Sequence, residues 1–185
     1  MKKKILIIIG IIVLLGIINS KTDKTTEKAT QSPSPVITTP SVASSKPEDQ
    51  IKALIQKKLE GNNNMGWPYE EEIKITKDST GKFEVIVKFN ADDNLSKGLI
   101  KTGVQMKVSE IITVLFTERQ DIQNVAVFAL FPLQDKYGNA FRGDVYIAKM
   151  DVNEAKKVNW SLDSSTLALT ILPKIYNVSY PHKIF

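Results

Sequence analysis

Hydrophobic residues occur in three patterns along this chain, and each pattern predicts a different kind of structure. An uninterrupted apolar run extends from Ile5 to Ile18. Beyond a long polar stretch, apolar residues recur at helical spacing in some segments and alternate with polar residues in others. Helical spacing indicates a helix with one buried side, and alternation indicates a strand with one buried face. The folded part of the chain is therefore expected to contain both helices and strands.

Two early segments of the folded part carry the helical pattern. The first follows Ser45, which has capping-box spacing to Glu48, and ends before Gly61, a residue type that often terminates helices. The second runs from Val104 to about Glu118, where apolar residues return every three or four positions. Both segments are predicted to be amphipathic helices.

A third helix is predicted near Val152, because Asp151 and Glu154 repeat the capping-box spacing. It is expected to reach at least Asn159. The C-terminal tail is apolar but irregular, and its stretch 166–172 fits a short helix or a strand. We favour the helix.

The alternating segments form two pairs. "EEIKITKD" and "KFEVIVKFN" are joined by the turn "DSTG", which predicts an antiparallel hairpin. "NVAVFALF" and "FRGDVYIAKM" are joined by "PLQDKYGNAF", in which Pro132 is expected to end the ladder. The adhesion-type tripeptide Arg142-Gly143-Asp144 falls at the start of the return strand, so we do not expect a loop tip to present it.

The order α-ββ-α-ββ-α predicts the α+β class. We expect a small four-stranded antiparallel sheet with helices mainly on one face, preceded by an N-terminal hydrophobic anchor or signal helix. The globular domain is assigned to residues 46–185, a length that suffices for one core.

Residues 1–19 are predicted to be a signal anchor or a signal peptide. Three lysines precede Ile5–Ile18, and this run would span only about 21 Å as a helix, against roughly 30 Å for a bilayer core. The shortness favours a cleaved signal, whereas the lack of an Ala-x-Ala-like site favours an uncleaved anchor. Either case predicts an extracytoplasmic head, with a cytoplasmic N-terminus if the segment stays as a single-pass anchor.

Residues 20–45 are predicted to be a disordered linker. They contain six Ser, six Thr and three Pro and almost no large apolar side chain. Such a composition buries too little surface to offset the entropy of the chain.

The charge distribution argues against nucleic-acid binding. The net charge is +5, but residues 1–45 carry six lysines and two acidic residues, which leaves 19 basic and 18 acidic residues for 46–185. A nucleic-acid binder normally needs a basic face to neutralise phosphates.

The residue inventory excludes several chemistries. The chain has no cysteine and one histidine, His182, so neither a cysteine-ligated metal nor a complete catalytic triad is expected. Glu71 and Glu72 are neighbours in a predicted strand, where they would point to opposite faces. We therefore assign no catalytic residue, no metal site and no cofactor.

Two loops supply candidate ligand-binding residues. "GNNNMGWPY" offers Trp67 and Tyr69 beside three amides, a combination that carbohydrate and peptide sites use. The second hairpin connection offers Asp135, Tyr137 and Asn139. Each loop also has a structural interpretation: Trp67 could fill the core, and the Asp-Lys-Tyr-Gly-Asn run has the residues that a plain turn requires.

Two functions fit these features. The first is a membrane-tethered, non-catalytic module in a prokaryote that binds a protein, a peptide or a cell-wall polymer. The alternative is an exported hydrolase that uses carboxylate or Ser/Lys chemistry. The prokaryotic assignment rests on the abundance of Ile, Lys and Asn, which is typical of an AT-rich genome.

Overall fold

The computed structural model of the protein describes residues 46–181. The predicted anchor or signal segment, the predicted linker and His182 lie outside the described residues. Within residues 46–181, no helix is both long and apolar enough to cross a membrane.

Helices and strands follow one another in an α+β order, which confirms the predicted class. The helices of the described region are α1 Pro47–Lys58, α2 Lys97–Glu118, α3 Val152–Ala155, α4 Ser164–Thr166 and α5 Leu172–Ile175, with a π-helical turn at Leu167–Ile171. The strands are β1 Glu70–Lys77, β2 Phe83–Asn90, β3 Ile122–Gln134, β4 Ala140–Asp151 and β5 Asn177–Ser179.

The prediction of a four-stranded antiparallel sheet is wrong. The sheet has five strands in the order β1-β2-β3-β4-β5, and β2 pairs with β3 in parallel. The parallel pair arises because the 22 residues of α2 cover about 33 Å, enough to return the chain to the start of β2 before β3 begins. The fifth strand escaped prediction because its three residues are too few to show alternation.

The first two helices begin at places that the sequence pattern does not give. Lys46, and not Ser45, is the N-cap of α1, and its side chain makes no capping hydrogen bond, so the predicted Ser45–Glu48 capping box is wrong. Pro47 takes the first position, where its missing N–H has no bond to lose. The second helix begins at Lys97 rather than near Val104, because the hydroxyl oxygen of Ser96 accepts a hydrogen bond from the backbone of Leu99.

The last helices agree better with expectation. Asp151 caps α3 as predicted and accepts hydrogen bonds from the backbone N–H groups of Asn153 and Glu154. This helix stops at Ala155 instead of Asn159, and the Ala155 carbonyl accepts a hydrogen bond from the indole of Trp160. The helical structure from Ser164 to Ile175 confirms the preference for a helix in the tail.

One hydrophobic core joins the sheet to the helices. Alternate residues of β2 and β3 are buried, and their side chains form a single cluster with the buried side of α2. The members that α2 contributes are Ile100, Val104, Val108, Ile111, Ile112 and Leu115. Apart from the buried Asn90 at the end of β2, the intervening residues of these two strands are half-buried or exposed, so the sheet has one face in the core and one face toward solvent.

The connections lie at two opposite ends of the sheet. One end, called here the hairpin end, contains the loop 59–69, the loop 91–96 and the turn 135–139. The other end contains the turn 78–82 and the start of α1, which an ion pair of 3.3 Å between Glu48 and Lys77 holds against the end of β1. The chain therefore enters the domain at one end of β1, and the loop with Trp67 lies at the other.

Candidate functional site

The loop 59–69 is organised around the side chain of Asn63. This amide is 4% exposed; its Nδ2 donates to the carbonyl of Ala91 at 2.9 Å. Its Oδ1 accepts hydrogen bonds from the backbone N–H groups of Met65 at 3.1 Å and Trp67 at 2.9 Å. A buried amide with its donor and acceptor groups in use fixes a loop firmly. Asn63 thus sets the position of Trp67.

A second buried amide, Asn90 at the end of β2, connects three segments. It is 1% exposed, and its Nδ2 donates to the carbonyl of Pro68 at 2.9 Å and to Glu71 Oε2 at 3.1 Å. Its Oδ1 accepts a hydrogen bond of 3.0 Å from Arg142 Nη1. The loop 59–69, strand β1 and strand β4 therefore meet at one side chain.

Glu71 and Arg142 form a two-pronged ion pair beside this amide. The guanidinium nitrogens lie 2.7 Å and 3.1 Å from the two carboxylate oxygens. The guanidinium carbon of Arg142 also lies 5.4 Å from the centroid of the Trp67 ring, within the range of a cation–π contact. Hydrogen bonds from Arg142 and then from Asn90 hold the pKa of Glu71 below its ordinary value of 4.5.

An apolar groove lies against this ion pair. We call it the Trp67 groove; its volume is about 740 Å³. Its lining consists of Trp67, Pro68, Pro132, Ala140 and Phe141, together with Glu71 and Arg142. A second depression of about 450 Å³ shares the ion pair and adds Glu72, Lys88, Leu130, Gly143 and Asp144. The two hollows meet where β1 comes close to the start of β4.

A β-bulge in β1 contradicts the prediction that Glu71 and Glu72 point to opposite faces. The register of β1 against β2 shifts between Glu70 and Glu72. Glu71 and Glu72 consequently line the same depression, although strict alternation would send them to opposite faces. Glu72 is paired with Lys88 at 2.7 Å. Among residues 46–181, no three acidic or histidine side chains lie close enough together to hold a metal ion.

The structure separates the two aromatic candidates of the first loop. Trp67 lines the groove, whereas the hydroxyl of Tyr69 donates to the carboxylate of Asp92, with distances of 2.8 Å and 3.0 Å to its two oxygens. Burial, followed by the hydrogen bond to Asp92, raises the pKa of Tyr69 to about 12. Tyr69 joins the loop 59–69 to the loop 91–96 and is not among the residues that line the groove.

The three candidates of the second hairpin form its turn. Asp135 Oδ1 accepts hydrogen bonds from the backbone N–H groups of Tyr137 at 2.8 Å and Asn139 at 2.9 Å, and Gly138 has a φ of +86°. The side-chain amide of Asn139 donates to Asp135 Oδ2 and is the largest cause of the lowered pKa of Asp135. Tyr137 is 77% exposed at the tip. Asp135 and Asn139 are therefore occupied in shaping the turn.

Other groove residues lacked a clear signal in the sequence. Arg142 pairs with Pro132 across the hairpin. The prediction that Pro132 ends the ladder is therefore wrong. Counting back from the turn 135–139 would have placed these two residues opposite each other. The approach of Glu71 to Arg142 depends on the bulge, which no residue pattern announces. Arg142-Gly143-Asp144 lies within β4, away from the turn, as expected.

Removing the Asn90 amide tests whether it holds the loop 59–69, β1 and β4 together. We expect Asn90→Ala to lower the free energy of unfolding by about 2 kcal/mol, because it leaves buried hydrogen-bonding groups without partners. Urea denaturation followed by circular dichroism measures this change. The matched control is Asn177→Ala on the exposed strand β5, which should stay within about 0.5 kcal/mol of the wild type. Equal losses of unfolding free energy in the two variants would contradict the role of Asn90 as the link between the three segments.

The ion pair should give a small dependence of stability on pH. Since the pKa of Glu71 is lowered in the folded protein, the contribution of this group is complete above its ordinary pKa of 4.5 and is lost as the pH falls below that value. The stability difference between the wild type and Glu71→Gln should therefore shrink as the pH falls below 4.5. Glu70→Gln leaves the pair with Arg142 intact and should parallel the wild type. Urea midpoints measured across this pH range provide the comparison, and a constant difference for Glu71→Gln would refute it.

No known protein family, no curated protein and no solved structure matches this chain. The function of the groove must therefore be inferred from its own geometry and chemistry.

Proposed function

We propose that this chain is a non-catalytic binding module, tethered at the extracytoplasmic face of a prokaryotic membrane through Ile5–Ile18. The Trp67 groove is its ligand site, and a protein, a peptide or a cell-wall polymer is its ligand. The observation that carries this proposal is a firmly held apolar groove at the hairpin end, remote from the point where the chain enters the domain.

The position of the groove suits a tethered receptor. The chain enters at Lys46, and the adjacent Glu48 is paired with Lys77 at one end of β1. Trp67 and Glu71 lie at the other end of that strand, whose eight residues extend about 25 Å. A tether attached at Lys46 would leave the hairpin end accessible to a partner.

Exposed apolar side chains support the same end as a contact surface. Among the described residues, six large hydrophobic side chains are exposed, and four of them belong to the hairpin end. These four are Leu95, Leu99, Tyr137 and Phe141. Leu95 and Tyr137 lie in loops of this end, and Leu99 and Phe141 lie in the first residues of α2 and β4, which follow those loops. A concentration of exposed apolar groups is typical of a binding surface.

The depression that Glu71, Glu72 and Lys88 line gives little support to the alternative function, an exported hydrolase. A carboxyl group that acts as a general acid near neutral pH needs a raised pKa. The pKa of Glu71 is lowered instead, and Glu72 is held by Lys88. These carboxylates are arranged as partners of basic side chains.

The proposed location predicts how the head responds to added protease. Proteinase K added to spheroplasts should degrade a C-terminally tagged head before any detergent is present, because the head lies outside the membrane. A cytoplasmic marker protein in the same sample should stay intact and serves as the control. A head that survives until the membrane is dissolved would overturn the proposed location.

The absence of catalysis is tested with the acidic residues around the groove. The purified full chain should show no turnover of glycan or peptide libraries. Glu72→Gln, Asp144→Asn and Asp135→Asn should each leave ligand binding within about twofold of the wild type, because these residues do not line the Trp67 groove. Turnover that disappears in one of these variants would establish the hydrolase instead.

A further inference from the structure

We infer that the Trp67 groove binds a proline-rich peptide in the polyproline II conformation. This inference rests on the proposed function, in which the groove is a ligand site. It follows from two properties of the groove: its lining is apolar, and it offers few hydrogen-bonding groups to a ligand.

The lining suits proline rings better than sugars. The polar side chains that line the groove belong to Glu71 and Arg142, which are bonded to each other and to Asn90. Two of the three loop amides that would serve a sugar are used elsewhere: Asn63 closes its own loop, and Asn64 binds the segment that contains Asp92 and Asp93. A glycan needs partners for many hydroxyl groups, and this lining offers few.

The backbone next to the groove is also poorly suited to accept an added β-strand. The carbonyl of Leu130 accepts a hydrogen bond from the N–H of Ala91, at the end of β2. Two residues further along β3, Pro132 turns its backbone to the same side, where β2 no longer runs. Its nitrogen carries no hydrogen, so a peptide laid there as a strand would lose a ladder bond.

A polyproline II peptide does not require such a ladder. This conformation has no internal hydrogen bonds, and its side chains pack into aromatic-lined grooves. Trp67 and Phe141, with the rings of Pro68 and Pro132, provide an aromatic and prolyl surface of that kind. The indole of Trp67 carries one N–H group, which can donate a hydrogen bond to a carbonyl of such a ligand.

The groove is held in shape before any ligand arrives. Asn63 fixes the backbone of Trp67, and Asn90 fixes Pro68, Glu71 and Arg142 relative to one another. A polyproline II ligand is likewise ordered before it binds. Association of two preorganised partners loses less conformational entropy than ordering a flexible chain.

The inference is tested by titrating the full chain, purified in mild detergent, with three ligands of different chemistry. These are an acetylated hexaproline peptide, a hexapeptide of alternating Thr and Val that favours the extended strand, and chitotetraose. The indole N–H resonances of the two tryptophans report binding by NMR. Trp160 is an internal control, because its indole donates to the Ala155 carbonyl away from the groove.

We expect hexaproline to shift the Trp67 resonance in a saturable manner and to leave that of Trp160 in place. Phe141→Ala should raise the dissociation constant by about tenfold, since it removes an aromatic wall of the groove. Leu169→Ala removes an exposed apolar side chain that lies outside the hairpin end and does not line the groove, and it should leave the constant unchanged. Trp67→Phe keeps a ring but removes the donor, and it should also weaken binding.

The remaining outcomes separate this inference from the proposed function. If chitotetraose or the Thr-Val peptide binds more tightly than hexaproline, in a manner that depends on Phe141, the ligand class is wrong and the groove remains a ligand site. If hexaproline binding is insensitive to Phe141→Ala, both the ligand class and the groove assignment fail. If none of the three ligands shifts the Trp67 resonance, the peptide inference fails, and the protease and turnover experiments alone decide the proposed function.

Discussion

The hydrogen bonds of Asn90 hold the hairpin end of this domain together. One buried amide binds the backbone before β1, the bulged carboxylate within β1 and the guanidinium of β4. These partners come from residues 68, 71 and 142, which are far apart in the sequence. Because an amide in the interior must satisfy both its donor and its acceptor groups, the three segments are held in one arrangement. The groove between Trp67 and Phe141 exists in its present shape because of that arrangement.

The ion pair of Glu71 and Arg142 acts mainly through its geometry. Its side chains are 33% and 42% exposed, so solvent screens their attraction and the pair adds little to stability by itself. Its two-pronged form nevertheless fixes the plane of the guanidinium, which lies over the ring of Trp67. The bulge in β1 is what brings the carboxylate there. The bulge in β1 thus determines which face of the Trp67 ring the guanidinium covers and which face stays open.

Sequence patterns predicted the elements of this fold better than their arrangement. Helical spacing and alternation report burial of one side, and the core of α2, β2 and β3 follows them closely. The parallel pairing of β2 with β3 depends on where a long helix returns the chain, which periodicity does not record. At the site, Trp67 could be selected from its residue type alone. Arg142 and Glu71 could not, because their meeting depends on hairpin register and on a bulge. Asp135 and Asn139 had the chemistry of ligands, but the same chemistry shapes tight turns, and the turn uses it.

The groove is a consequence of unequal strand lengths. Strands β3 and β4 continue past the end of β2, so their hairpin projects beyond the sheet and leaves a step beside the loop 59–69. A step of this kind would normally be filled by apolar side chains from a longer loop or covered by a helix. Here the nearby polar side chains form hydrogen bonds that hold the backbone in place, and the aromatic and prolyl side chains remain at the surface. Exposure of Phe141 and its neighbours is unfavourable in water for the isolated domain. Such a surface becomes favourable once an apolar ligand covers it, and this is the physical reason to propose binding at the hairpin end.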